Sequence, residues 1–195
     1  MCPFDRKIIV LMVLTLTLFA YARIYSINQC DTSYLQDGFN CEKAFNGDIT
    51  TYQTPGYING WAYGGRIPAW VVFYLKNPVT INTIIFKTGL KRKDHHLNDF
   101  GIEVQVGNTF EPVTITKVNS AGTKINGPSV KIDGQQEVRV AFETKTGVTA
   151  IKVRAYGSDA ANKNSVVNEI YVLFLTNAGM YWSQNDVNVI LNEII

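Results

Sequence analysis

Short runs of alternating apolar and polar residues, separated by turn residues, constrain this 195-residue chain most strongly. A period of two, with many Val, Ile, Thr and aromatic side chains, is typical of strands with one buried face. Turn residues separate the runs, as at Lys76-Asn77-Pro78, Val106-Gly107-Asn108 and Asn126-Gly127-Pro128. The pattern predicts eight strands: Trp70–Leu75, Val79–Lys87, Gly101–Val106, Pro112–Val118, Val130–Asp133, Glu137–Phe142, Ala150–Ala155 and Glu169–Leu175.

The order of these strands predicts the architecture. No helical pattern lies between them, which argues against a parallel α/β fold and favours an all-β, antiparallel jelly-roll sandwich. The last residues differ, because apolar side chains recur there at helical spacing: Val187, Ile190, Leu191, Ile194 and Ile195. We therefore predict a sandwich domain over 23–176 and an amphipathic helical tail over 177–195. The tail either covers an edge of the sandwich or binds another protein or a second copy.

The N-terminus has the composition of a secretory signal peptide. Arg6 and Lys7 precede an apolar run that ends at Ala20-Tyr21-Ala22, a small-x-small cleavage pattern. A membrane-spanning helix needs about 20 apolar residues, and this run is shorter. We predict that residues 1–22 are removed and that the protein is secreted; the alternative is an uncleaved anchor.

Charge and cysteine content narrow the class of partner. Loss of Asp5, Arg6 and Lys7 from 18 basic and 16 acidic residues leaves 16 and 15, a near-neutral balance that argues against nucleic acid as the main partner. Cys30 and Cys41 remain as an even pair in an oxidising compartment. A disulfide between them is predicted, with two free thiols as the alternative.

Catalytic signatures are missing from the sequence. It contains no Gly-x-Ser-x-Gly and no His-Glu-x-x-His motif, and its two histidines are adjacent at His95 and His96. We predict that the chain is not an enzyme.

Recognition chemistry is concentrated in two segments between predicted strands, Thr54–Pro68 and Thr88–Asp99. The first combines aromatic side chains with glycines, and the second is basic. Aromatic faces stack on sugar rings, and cationic or amide donors bind hydroxyl or anionic groups. The candidate ligand contacts are Tyr57, Trp61, Tyr63, Arg66, Lys91, Arg92 and His95. The alternatives are that Trp61 and Tyr63 pack under their loop and that the basic side chains are simply solvated.

Five blocks of the sequence resemble those of one known family. Lys43–Thr51, Trp70–Ile81, Phe100–Val104, Ala150–Arg154 and Asn168–Ile170 are similar, in order and spacing, to the successive blocks of discoidin domains. These are the coagulation factor type C domains of the galactose-binding-like superfamily, and the resemblance covers roughly residues 40–175. It implies an eight-stranded jelly roll that binds glycans, anionic lipids or proteins through loops at one end.

The resemblance also implies a structural calcium ion. Carried over to this chain, the ligand set is Lys43, Asn46, Asp48, Thr51, Asn168 and Glu169. Ca²⁺ takes six to eight oxygens, including backbone carbonyls and a carboxylate, and this set can supply them. Asn46 stands where the family more often has Asp, which lowers the charge of the site. The alternative is a plain Asn-Gly turn that needs no ion.

The leading functional hypothesis is a secreted, non-catalytic module that binds a glycan or glycoprotein of the cell surface or matrix. A second hypothesis is a structural or adhesive subunit whose partner is another polypeptide, bound through the C-terminal helix. A third is peripheral binding to anionic lipid through the basic loop, which would depend steeply on salt.

Overall fold

The computed structural model describes residues 22–33, 40–47, 61–62, 68–88, 97–118, 124–126, 129–131, 137–158 and 166–176. In these ranges the chain is all-β apart from one 3₁₀ turn, Cys41–Ala44, and no helix among them is long and apolar enough to cross a membrane. The strands are β1 Ala22–Tyr25, β2 Ile27–Thr32, β3 Trp61–Ala62, β4 Ala69–Thr88, β5 Leu97–Val106, β6 Thr109–Pro112, β7 Ile115–Val118, β8 Lys124–Asn126, β9 Ser129–Lys131, β10 Glu137–Ser158 and β11 Val166–Leu175.

Two long strands, β4 and β10, pair with each other along both of their halves and connect two layers. In the first layer, Phe73 of β4 pairs with Ile151 of β10, and the order of the strands is β2, β4, β10, β5, β9 and β8, with β6 also beside β5. In the second layer, Ile84 of β4 pairs with Val140 of β10, and the order is β1, β11, β4, β10 and β7. All of these pairings are antiparallel.

The predicted turn at Lys76-Asn77-Pro78 is wrong, because β4 continues through it. The register of the β4–β10 ladder shifts repeatedly between Ala141 and Ala150, where both strands bend from one layer to the other. Pro78 is exposed at this bend, and a proline without an N–H group is tolerated where the ladder is interrupted. Gly147 has a φ of 75°, a left-handed conformation that glycine adopts without steric cost. Four predicted strands therefore merge into two.

The predicted strand Pro112–Val118 is in fact two strands with different partners. β6 pairs with β5 in the first layer, whereas β7 pairs with β10 in the second. Between them, the Val113 N–H donates to the Ile102 carbonyl at 3.1 Å, and the Thr114 carbonyl accepts from the Glu143 N–H at 3.3 Å. The chain crosses from one layer to the other here, so alternation continues in the sequence although the sheet partner changes.

The core lies between the two layers and is built from the inward residues of each strand. Phe86 of the second layer and Phe100 of the first are both fully buried, and their rings meet edge to face at 5.6 Å between centroids. The other large, fully buried core residues include Phe73, Ile84, Ile102 and Ile151. This contact between layers makes the folded sheet a sandwich.

The described residues contain eleven strand segments, compared with the eight predicted. The additional strands include β1 and β2, which precede the predicted set. Residues 1–21 and 177–195 lie outside the described residues, so the signal peptide and the C-terminal helix stay predictions.

Candidate functional site

Both predicted recognition segments are attached to the same end of the sandwich, which we call the loop end. β4 begins there at Ala69 and, after its bend, returns to end there at Thr88. β5 begins beside it at Leu97, whose N–H donates to Thr88 Oγ1 at 3.3 Å. This hydrogen bond joins the two layers and holds together the two residues between which the segment 89–96 runs. Thr88 also pairs with Val167 at the start of β11.

The base of the loop end is closely packed. Ala69, Thr88, Leu97 and Val167 are all buried, with exposed fractions of 0–1%. Residues in β-ladders with buried side chains are the least mobile part of a fold, and loops carried by such a base are common positions for binding residues. The arrangement therefore offers a fixed platform for the segments that it carries.

The structure defines where the predicted ligand contacts are attached but not their side chains. Trp61 lies in β3, where its backbone pairs with Val167. The other six contacts lie outside the described residues: Tyr57, Tyr63, Arg66, Lys91, Arg92 and His95. The predicted extent of the basic loop is corrected, because Thr88 belongs to β4 and Leu97–Asp99 belong to β5.

A third segment, 159–165, begins and ends at the loop end as well. β10 ends at Ser158, which pairs with Leu97, and β11 resumes at Val166, which pairs with Ala62. None of the predicted ligand contacts lies in this segment. Its polar composition, Asp-Ala-Ala-Asn-Lys-Asn-Ser, was the available signal.

Two of the predicted calcium ligands, Asn168 and Glu169, are buried at the start of β11, with 2% and 3% exposure. The Gly47 N–H donates to Glu169 Oε2 at 3.2 Å, which joins the predicted calcium turn to β11 across 122 residues of sequence. Gly47 has a φ of 77°, as expected of a glycine in a tight turn. Lys43 and Asn46 belong to the same short described segment, whereas Asp48 and Thr51 lie outside the described residues.

The chemistry of these donors fits calcium. Glu169 supplies a carboxylate and Asn168 and Asn46 supply amide oxygens, which are the hard donors that Ca²⁺ prefers. Burial and the negative charges of Glu169 and Glu137 hold the pKa of Tyr171 above its ordinary value. The hydrogen bond from the Gly47 N–H to Glu169 can also hold the turn without an ion, in keeping with the alternative of a plain Asn-Gly turn.

The predicted disulfide is confirmed. Cys30 of β2 and Cys41 of the 3₁₀ turn are bonded, with their Cα atoms 6.1 Å apart. In the described part of the chain, the one group of three metal-binding side chain types within 4.8 Å is Cys30, Cys41 and Glu42. Because its two sulfurs are bonded to each other, this group is not a metal site.

The outer face of the first layer carries aromatic and charged side chains. Lys152 Nζ lies 4.8 Å from the ring centroid of Trp70 and 5.1 Å from that of Phe110. Arg154 forms an ion pair with Glu103 on the neighbouring strand. Trp70 therefore points outwards and packs beneath a lysine, whereas its neighbours in the strand, Ala69 and Val71, point into the core.

On the second layer, three charged side chains interact at the loop end. Glu137 forms ion pairs with Lys87 of β4 and with Arg139, which is 4% exposed. Burial alone would raise the pKa of Glu137. The hydrogen bonds that Lys87 and Arg139 donate to its carboxylate, together with their positive charges, outweigh this effect, so the pKa of Glu137 lies below its ordinary value. This group has a structural role in joining β4 to β10.

Comparison with known proteins identifies the fold. No family model matches the chain, and no curated protein matches its sequence. A solved pectin-binding carbohydrate-binding module is 20% identical, with a TM-score of 0.55 over 76% of this chain and 91% of its own. The CBM32 module of AlyQ, solved with 4,5-unsaturated mannuronic acid, is 15% identical, with a TM-score of 0.56 over 77% and 97%.

A further CBM32 module, from Clostridium perfringens and solved with GalNAc-β-1,3-galactose, is 15% identical, with a TM-score of 0.55 over 75% of this chain and 94% of its own. At these identities the likeness concerns the fold. It agrees with the five sequence blocks and with the two-layered strand order described above. The chain has the galactose-binding-like fold, which is the fold of discoidin domains.

Proposed function

We propose that this protein is a secreted, non-catalytic carbohydrate-binding module whose ligand, a cell-surface or matrix glycan, binds at the loop end. The observation that carries the proposal is the convergence of the aromatic segment 54–68 and the basic segment 89–96 on one buried base, closed by the Thr88–Leu97 hydrogen bond. The first segment supplies the aromatic stacking surfaces and one cationic donor, Arg66, and the second supplies the further cationic donors Lys91 and Arg92. Together they supply the two kinds of contact that hold a sugar ring.

The similar structures support the ligand class. They are a pectin-binding module and CBM32 modules solved with an unsaturated mannuronic acid and with GalNAc-β-1,3-galactose. These ligands differ from one another, in keeping with a fold whose loops set specificity. The class of ligand proposed for this chain is therefore a saccharide, without a specific sugar.

The proposal includes a structural calcium ion at the turn next to β11. Asn168 and Glu169 would hold it together with Lys43, Asn46, Asp48 and Thr51. When bound, calcium supplies a divalent charge that holds together oxygen donors from distant parts of the chain. The residues of this chain orient the turn and anchor it to β11, as the Gly47–Glu169 hydrogen bond does.

A glycan array tests the proposed function with the wild-type protein, Trp61→Ala and Phe110→Ala. We expect wild type and Phe110→Ala to bind the same glycans, because Phe110 lies on the outer face of the first layer. Trp61→Ala should lose at least about tenfold in affinity, the value of one aromatic stacking contact. If wild type binds no glycan, the proposal is wrong; if Trp61→Ala binds unchanged, the loop end is not the site.

A further inference from the structure

A cavity of about 560 Å³ opens at the opposite end of the sandwich, where β4 and β10 bend; we call this the bend end. Its lining includes Arg23, Tyr25, Val79, Thr80, Thr146 and Phe174. These residues come from four different strands, β1, β4, β10 and β11. None of them belongs to the loop end or to the candidate calcium site.

The floor and one wall of the cavity follow from the pairing of β1 with β11. Arg23 is the cross-strand partner of Phe174, and Tyr25, two residues further along β1, lies on the same face as Arg23. Tyr25 and Val79 are half-buried and pack against the main core. The floor is therefore apolar and aromatic, and Arg23 is exposed at its edge.

The opposite wall carries two hydroxyl groups. Thr80 of β4 and Thr146 of β10 lie at the bend, and their Oγ1 atoms are 3.4 Å apart. A hydroxyl donates and accepts hydrogen bonds, so this pair can bind a hydroxylated ligand in either sense. The pair belongs to the same irregular part of the β4–β10 ladder that Gly147 allows to bend.

Cationic side chains lie at and beside the cavity in the part of the chain that the structure describes. Arg23 lines it, and Lys76 lines an adjoining cavity of about 210 Å³ that shares Tyr25 and Val79. Lys145 is ion-paired with Glu111 at 2.8 Å, so this pair adds little net charge. Glu143 is the acidic residue of the same bend.

We propose that the bend-end cavity is a second ligand site, which binds a saccharide unit that carries a carboxylate. The guanidinium of Arg23 matches a carboxylate in geometry and charge. The rings of Tyr25 and Phe174 face the apolar side of a sugar, and Thr80 and Thr146 bind its hydroxyls. A neutral sugar would satisfy the rings and hydroxyls alone. The inference goes beyond the proposed function, because this site is separate from the loop end.

The experiment is a titration of the expressed protein with galacturonic acid and with galactose, followed by NMR shifts of the residues that line the bend-end cavity, so that binding at the loop end is recorded separately. Galacturonic acid should bind at least about tenfold more tightly than galactose, since a hydrogen bond to a charged group is lost in the neutral sugar. Arg23→Gln should remove this preference. Lys131→Gln, which removes an exposed lysine on β9, should retain it.

Thr80→Val provides a second variant, should Arg23→Gln fail to fold. It keeps the shape of the side chain and removes one hydroxyl, so affinity for both sugars should fall while the preference for galacturonic acid remains. Equal affinity for the two sugars, or an unchanged preference in Arg23→Gln, would overturn the proposal. Equal binding of N-acetylglycine would overturn the saccharide assignment, since it would show that the carboxylate alone is recognised. Loss of glycan-array binding in Trp61→Ala does not bear on any of these results.

Discussion

At the scale of single residues, Glu169 carries the most specific consequence. Its carboxylate is buried at the start of β11 and accepts the Gly47 N–H at 3.2 Å. A buried carboxylate needs charged or hydrogen-bonding partners to offset the loss of hydration. Gly47 is one such partner, and the proposed calcium ion would be another.

Glu169→Gln tests this role. The amide keeps the size of the side chain and one acceptor oxygen, but it removes the negative charge that a calcium ion needs. We expect calcium to raise the Tm of wild type relative to EDTA and to leave the Tm of Glu169→Gln unchanged. Without calcium, the variant should lose about 1–3 kcal/mol of stability, the usual value for a hydrogen bond to a buried charged group.

Glu111→Gln is the matched control, because Glu111 is about half exposed and forms a surface ion pair with Lys145. It should shift with calcium as wild type does. A calcium-induced shift of the same size in Glu169→Gln would contradict the calcium site.

At the scale of elements, two kinds of side-chain link connect neighbouring parts of the fold. The ion pairs of Glu137 with Lys87 and Arg139 join β4 to β10, next to the loop end. The Cys30–Cys41 disulfide joins β2 at the edge of the first layer to the 3₁₀ turn. The ion pairs should affect how stability depends on pH, and the disulfide should affect how stability depends on a reductant.

The ion pairs predict how stability depends on pH. Because the pKa of Glu137 is lower in the folded protein than the unfolded value of about 4.3, its ionised form stabilises the fold above that pH. This contribution is lost as the pH falls through the folded pKa. We expect urea unfolding of the wild-type protein to show a loss of stability at acid pH. In Glu137→Gln this loss should be smaller. Glu143→Gln, on the exposed bend, should keep the wild-type profile; an unchanged profile in Glu137→Gln would contradict the role.

The disulfide predicts a stability difference that depends on reduction. Replacement of Cys30 and Cys41 by serine should cost about 3 kcal/mol, because the bond closes a short loop in the unfolded chain. Urea unfolding with and without dithiothreitol measures this. The reductant should lower the stability of wild type to that of the double variant and should leave the double variant unchanged. A reductant effect on the serine variant would point to another cause.

At the scale of the whole molecule, the two layers form one cooperative unit because they share a core. Phe86 of the second layer and Phe100 of the first are in contact within it. The packing of the two layers on each other also brings both ends of β4 and the start of β5 to the loop end. Stability of the core and geometry of the proposed binding loops are therefore linked.

Phe86→Ala tests this linkage. Removal of a fully buried ring should cost about 3–5 kcal/mol and lower the Tm of the whole domain in a single transition. Far-UV circular dichroism and tryptophan fluorescence should report the same midpoint. Phe110→Ala, on the outer face, should cost much less. Separate midpoints in wild type would show that the layers unfold independently.

Much of the fold was predictable from the sequence. Strands with one buried face have a local signature, so Trp70–Leu75, Gly101–Val106 and Ala150–Ala155 were found as strands. The disulfide was predictable from an even pair of cysteines, and the fold family from blocks of sequence in order. β1 and β2 were missed because residues 22–32 do not alternate regularly and follow directly on the apolar N-terminal run.

The candidate sites were predictable only in part, because their residues come together through pairings distant in sequence. Glu169 and Gly47 were linked through the family resemblance, and their hydrogen bond bears out that they are neighbours. The bend-end cavity had no sequence signal, since Arg23, Thr80 and Phe174 belong to separate strands. The third segment of the loop end, 159–165, had only its polar composition.

The sequence by itself determined that this chain forms strands, where most of them lie, and which family of folds they resemble, because alternation and turn chemistry are properties of neighbouring residues. Tertiary structure decided that β4 and β10 continue through their bends, that β6 and β7 belong to different layers, and which residues share each end of the sandwich. Strand pairing and layer packing depend on contacts between residues far apart in the chain. Local patterns do not specify those contacts.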